Sequence, residues 1–225
     1  MFKSIKTGVL SLLLVCTAIY AHAQKKISQG VITYGVAYNL SEEQKSTIDV
    51  SNLPTENILE FNGNISRLAM DMGPAIITII KDGSLNNALL LIKVPMAQKQ
   101  IATKMTKEDL DKESGGIKYS DFKATGVKET ISGFNTEKYT YTDNNGNAYE
   151  LWATKDVELT PGATNSEFKG LKGTPIKFSL SQNNIKTILT IKSITEKNVG
   201  PFTLDVPTGY DVMTMAQLEA LRGGG

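Results

Sequence analysis

Short runs of alternating apolar and polar residues, punctuated by Asn-Gly and Asp-Gly pairs, recur along almost the whole chain, and this pattern constrains its fold more than any other feature. Residues 31–38 set Ile32, Tyr34, Val36 and Tyr38 on one side of a strand and smaller groups on the other. Asn62-Gly63 lies between the runs 58–61 and 65–72, where both residues tolerate positive φ and can reverse the chain. Strands are predicted to continue over 75–81, to turn at Asp82-Gly83 and to resume over 88–94. The second half repeats the grammar over 118–123, 127–131, 135–142, 148–155, 176–180 and 186–194, with turns at Asn145-Gly146 and Asn183-Asn184. Residues 206–210 are expected to close the sheet.

Between these strands the pattern breaks in three places. Residues 41–55 are polar, lack a period and carry Pro54, which reads as a loop or short lid. The segment 96–105 fits either a helix begun by Pro95 or a further strand ending at Met105. Thr106 followed three residues later by Asp109 predicts a capped helix running to about Glu113 and stopped by Gly115-Gly116. A terminal helix is predicted over 215–221. So many sequential antiparallel strands with so few helices predict a mainly β fold of α+β type. Its single strongly curved antiparallel sheet is closed or half closed into a barrel, because large twisted sheets rarely stay open and flat.

The N-terminus has the three parts of an export leader. Lys3 and Lys6 precede an apolar run over 9–19, and Ala21-His22-Ala23 supplies the small-residue cleavage pattern. The run is shorter than the roughly 20 residues that span a bilayer, so no permanent transmembrane anchor is expected. Residues 1–23 thus read as a signal peptide and 24–225 as one exported domain. Cleavage would remove Cys16 and His22, the chain's one cysteine and one histidine. A mature chain so depleted has no imidazole base, no thiolate nucleophile, no disulfide and no nitrogen ligand for a metal. No enzyme and no cofactor are therefore expected, and a carboxylate or Ser-Lys hydrolase is the remaining catalytic alternative. Losing Lys3 and Lys6 takes the formal net charge from +1 to about −1. With two arginines and scattered lysines, there is no basic stripe for nucleic acid.

Other motifs have plainer explanations. The oxygen-rich run 143–147 lacks the Gly and Glu positions of a calcium loop and reads as a solvated hairpin turn. Glu42-Glu43 and the pair Asp109/Asp111 lie in polar local runs, as solvated surface does. The tail Leu221-Arg222-Gly223-Gly224-Gly225 matches the end of ubiquitin-like modifiers only superficially.

Several segments, in order, resemble a family of exported bacterial proteins, a domain of unknown function, that is itself similar to the outer-membrane lipoprotein carriers. They are residues 30–34 (GVITY), 62–67 (NGNISR), 131–139 (ISGFNTEKY), 149–152 (YELW), 173–176 (GTPI) and 202–210 (FTLDVPTGY). The resemblance implies a LolA/LolB-like unclosed barrel, in the periplasm or outer envelope of a Gram-negative cell, with a helical lid over its concave face, where the carriers hold acyl chains. At Thr136 relatives often carry a cysteine, so no redox role transfers to this chain.

On that basis the expected function is that of a monomeric envelope binding or carrier protein for a lipid or an acylated protein. The rival is a protein-protein interaction module with a packed barrel, its loops 41–55 and 161–172 binding an envelope partner. Candidate cavity-lining residues are Trp152, Met70, Met72, Met96, Met105 and Phe178, because methionine and aromatic side chains adapt to varied apolar ligands. Alternation sets Trp152 opposite Tyr149 and Leu151 and leaves open which set faces the cavity.

Overall fold

The computed structural model describes residues 24–164, 166–182 and 185–223. The predicted leader, the Asn183-Asn184 turn and the last two glycines lie outside them. The chain opens with β1 (Lys25–Ile27), and β2 (Gln29–Asn39) then starts a meander. Through α1 (Glu42–Thr47) it reaches β3 (Glu56–Asn62), followed by β4 (Ile65–Asp71), β5 (Ile76–Asp82), β6 (Asn87–Val94) and β7 (Lys99–Met105). Next α2 (Lys107–Glu113) leads to a second meander of β8 (Tyr119–Ile131), β9 (Phe134–Asp143) and β10 (Ala148–Thr154). After β11 (Val157–Leu159), which pairs in parallel with β1, come β12 (Thr174–Gln182) and β13 (Ile185–Glu196). A strand of two residues, β14 (Asp211–Val212), and α3 (Met215–Gly223) finish the described chain.

The two meanders join where β13 pairs antiparallel with β2, giving a twelve-stranded sheet in the order β14-β7-β6-β5-β4-β3-β2-β13-β12-β10-β9-β8. Its curvature follows from the connection across its ends. Laid flat, the sheet would hold β7 and β8 ten strand steps apart, about 48 Å at ~4.8 Å per step. The connection from Met105 to Tyr119 contains the seven-residue α2 and can reach less than about 40 Å. The sheet must therefore curl. Its edges, β14 and β8, each pair on one side only, so the result is a mostly β, curved sheet that does not close into a barrel.

The Asn-Gly and Asp-Gly turns fall where predicted. Gly63 and Gly146 take φ of 59° and 83°, conformations that glycine adopts without strain. At Asn145-Gly146 the turn is also pinned by Asp143, which accepts hydrogen bonds from the amides of Asn145 and Asn147, the Asn147 side chain and the Tyr149 hydroxyl at 2.8–3.0 Å. Burial opposes ionisation of this carboxyl, but hydrogen bonds from Asn147, Tyr149 and Asn145 outweigh it and hold the carboxyl below its ordinary range. A depressed folded-state pKa stabilises the fold above the unfolded value of about 4 and loses that contribution as pH falls through the folded one. Asp143→Asn is expected to flatten the fall in thermal stability between about pH 5 and pH 2; an unchanged acid limb would assign that limb to other carboxylates.

Several expectations need correction. Residues 96–105 are a 3-10 turn, Pro95–Ala97, and then β7, so the strand alternative holds. The expected loop 41–55 contains α1, whose Ser41 and Gln44 form a reciprocal capping box. The two strands predicted over 118–131 are one bulged strand, β8. Residues 206–210 do not close the sheet. Instead Phe202, Leu204, Val206 and Tyr210 pack across Ile80, Leu89, Leu91 and Ala102 on one face of β5–β7. The 107–113 helix forms with its Thr106–Asp109 capping box, as predicted.

Candidate functional site

Strand alternation divides the sheet into two chemically different faces. The front face carries Ile32, Tyr34, Val36 and Tyr38 of β2, and the ladders extend it sideways through Leu59 and Phe61, Leu68 and Met70, Ile77 and Ile79, and Leu90 and Ile92. On the other side of β2 it continues through Leu189 and Ile191, Phe178, Leu151 and Tyr139. This face is predominantly apolar, with Asn57, Ser66 and Thr103 as polar residues in its rows.

Three packed clusters occupy parts of it. Near the bottom of β2, β1 and β11 cover Ile32, Phe61 and Ile176 with Ile27, Val157 and Leu159. Over β5–β7, α2 and α3 bring Leu110, Met215 and Leu218 onto Ala88, Leu90 and Met105. Over β9–β12, Phe168 is wedged among Tyr119, Phe122, Tyr141 and Phe178, with ring centroids 5.1–6.3 Å apart. Burial raises the Tyr119 hydroxyl to about 12 and pushes Tyr141 and Tyr34 up as well. None of these phenols is set up to ionise as a base near neutrality.

Between the clusters lies a strip that none of them includes. Val36, Leu68 and Met70 share the front face, are half-buried, and belong to no packed cluster. Beside them, Asn57 pairs with Tyr34 across β2 and β3, and its buried side-chain oxygen has no hydrogen-bond partner among the described residues. An amide oxygen buried without a partner costs of the order of 1–3 kcal/mol, so it stands out in this apolar strip.

The candidate residues separate on this framework. Met70 lies in the open strip, and Met72 follows just beyond β4, half-buried, in a turn closed by its own amide and the Ala75 carbonyl. Phe178 is 5% exposed and belongs to the aromatic cluster, 6.3 Å from Tyr34. Met105 is buried beneath α3 in the helical cluster. Met96 is 95% exposed on the 3-10 turn and faces none of these groups. Trp152 stands on the opposite, back face, in register with Lys138 and Lys177, while its neighbour Leu151 is buried on the front. Sequence reasoning missed Val36, Leu68 and Asn57. The first two obey the same alternation as Ile32 and Tyr34, but knowing that they share a strip requires the β2–β3–β4 register.

On the back face, Thr140, Glu150, Trp152, Lys177, Ser179 and Ile188 line a groove of about 510 Å³. Among the described residues, no three His, Cys, Asp or Glu side chains come together as a metal site would require. No helix among them is long and apolar enough to cross a membrane.

The fold and the two faces define a class: a mostly β protein built on one large, curved, unclosed sheet with an apolar front. No family of known proteins matches the chain, and no curated protein does. Among solved structures it is similar to LprF from Mycobacterium bovis, at a TM-score of 0.34 and 14% identity, over 80% of this chain and 90% of that one. A likeness of that degree fixes neither ligand nor mechanism.

Proposed function

We propose that this is an exported binding or carrier protein that shelters an acyl chain, of a lipid or of an acylated protein, on the front face of a LolA/LolB-like unclosed barrel in the periplasm. The observation that carries this reading is the strip of Val36, Leu68 and Met70: aliphatic, half-buried and left out of every packed cluster. A side chain of that kind contributes about 1.5–3 kcal/mol when an apolar partner covers it fully, and methionine adapts to partners of varied shape. The strip has the helices α2 and α3 at one side and the aromatic cluster at the other, so a ligand lying on it would be bounded by existing structure.

The test is native mass spectrometry with lipid extraction on protein purified from its own cell envelope. Acyl lipid is expected with the unaltered protein and at least tenfold less with Met70→Lys, while Met96→Lys, on the exposed turn, should retain it. An empty protein, or lipid retained equally by a folded Met70→Lys variant, overturns the reading.

A further inference from the structure

The back face carries a second feature that an acyl-binding front does not explain. One row crosses it through four paired strands: Lys138 of β9, Trp152 of β10, Lys177 of β12 and Thr190 of β13, with Gly35 of β2 beyond. Lys192, next to the irregularity in the β13–β2 register, lays its side chain against Gly35, where any Cβ would collide with its Cε. The row from Lys138 to Gly35 spans four strand steps, or about 19 Å. Lys138 donates to Glu150 at 2.9 Å and also stands 5.5 Å from the centre of the Trp152 ring. Lys177 and Lys192, together with Lys186 of β13, which also lines the groove, have no ion-pair partner among the described residues. Trp152 is the one tryptophan in the chain, and it is only half-buried, at the floor of a groove open to solvent.

We infer that this row is a binding site for an acidic polysaccharide chain. The flat indole offers a platform for the apolar face of a sugar ring, the hydroxyls of Thr140 and Ser179 offer exchangeable hydrogen-bond partners, and the unpaired lysines meet carboxylates along the chain. The surface is long and open rather than enclosed, which suits a polymer better than a single head group. Nucleic acid is a poorer match, because the row contains no arginine and only one stacking ring. The counter-charges near it are Glu150, already paired with Lys138, and Glu56, which is in register with Gly35.

Because Trp152 is unique, its fluorescence reports this site alone. Titration of the full chain with oligogalacturonate is expected to give a saturable change in emission that weakens as salt is raised from about 50 to 500 mM. Neutral cello-oligosaccharides should require at least tenfold higher concentration for the same change. Lys177→Gln should raise the half-saturation concentration at least fivefold, while leaving both thermal stability and fatty-acid uptake by the front face as they were. Absence of a saturable change with oligogalacturonate, an equal response to inorganic sulfate at matched charge, or an unaltered half-saturation in the variant each overturns the assignment. Since fatty-acid uptake is read separately, failure here and failure of the acyl-binding proposal are distinguishable.

Discussion

Phe61→Ala is expected to destabilise the protein by about 3–5 kcal/mol, a large share of the 5–15 kcal/mol that holds a typical domain together. Phe61 is fully buried on the front of β3, in the cluster where β1, β11 and the edge of the second meander meet β2. Its neighbours Ile32, Ile176 and Ile191 are themselves at most 1% exposed, so they are held by their own strands and cannot collapse into the space. For a chain of this length the corresponding fall in Tm is roughly 6–20 °C. Calorimetry showing a shift under about 3 °C would mean that the cluster relaxes far more freely than its packing implies.

Gly30→Ala is expected to cost about 3 kcal/mol for a different reason. Gly30 pairs with Glu196 at the end of the β2–β13 ladder, and a Cβ there would run into the backbone carbonyl oxygen of Thr195. Backbone cannot swing aside as a side chain can, so the new methyl must push apart the one ladder that joins the two meanders. Gly35, five residues along the same strand, supplies the control. A Cβ at that position meets only the far end of the Lys192 side chain, which can move, and Gly35→Ala is expected to be within about 0.5 kcal/mol of the unaltered protein. Equal Tm values for the two variants would show that crowding at Thr195 does not decide the outcome.

Much of this fold was legible from local chemistry. Asn62-Gly63, Asp82-Gly83 and Asn145-Gly146 marked real hairpins because their backbone needs are met by residues at the turn itself. Thr106 and Asp109 likewise declared their helix, since both halves of a capping box lie within one turn. The capping box at Ser41 and Gln44 is harder to read, because the helix it starts is six residues long and buries none of them, so no apolar period accompanies the cap. The short strands β1, β11 and β14 carry two or three residues each and exist only through partners far away in sequence. For the site, alternation correctly opposed Trp152 to Leu151 and Tyr149, but the choice of face depends on what packs on each side. Phe168, which helps decide it, arrives from a connection with no periodicity at all.

The β2–β13 seam has a kinetic consequence. Gly35 meets Thr190 and Gly30 meets Glu196, so β2 waits for a neighbour roughly 150 residues behind it. A chain emerging N-terminus first can zip β2 to β7 as successive hairpins, yet one flank of β2 stays unpaired until nearly everything else has appeared. Assembly is therefore governed by loop closure at the very centre of the sheet, and slow. Until that closure, a strand carrying Val31, Ile32, Tyr34 and Val36 presents a bare edge to any other incomplete copy, which is when self-association, rather than productive folding, has its best opportunity.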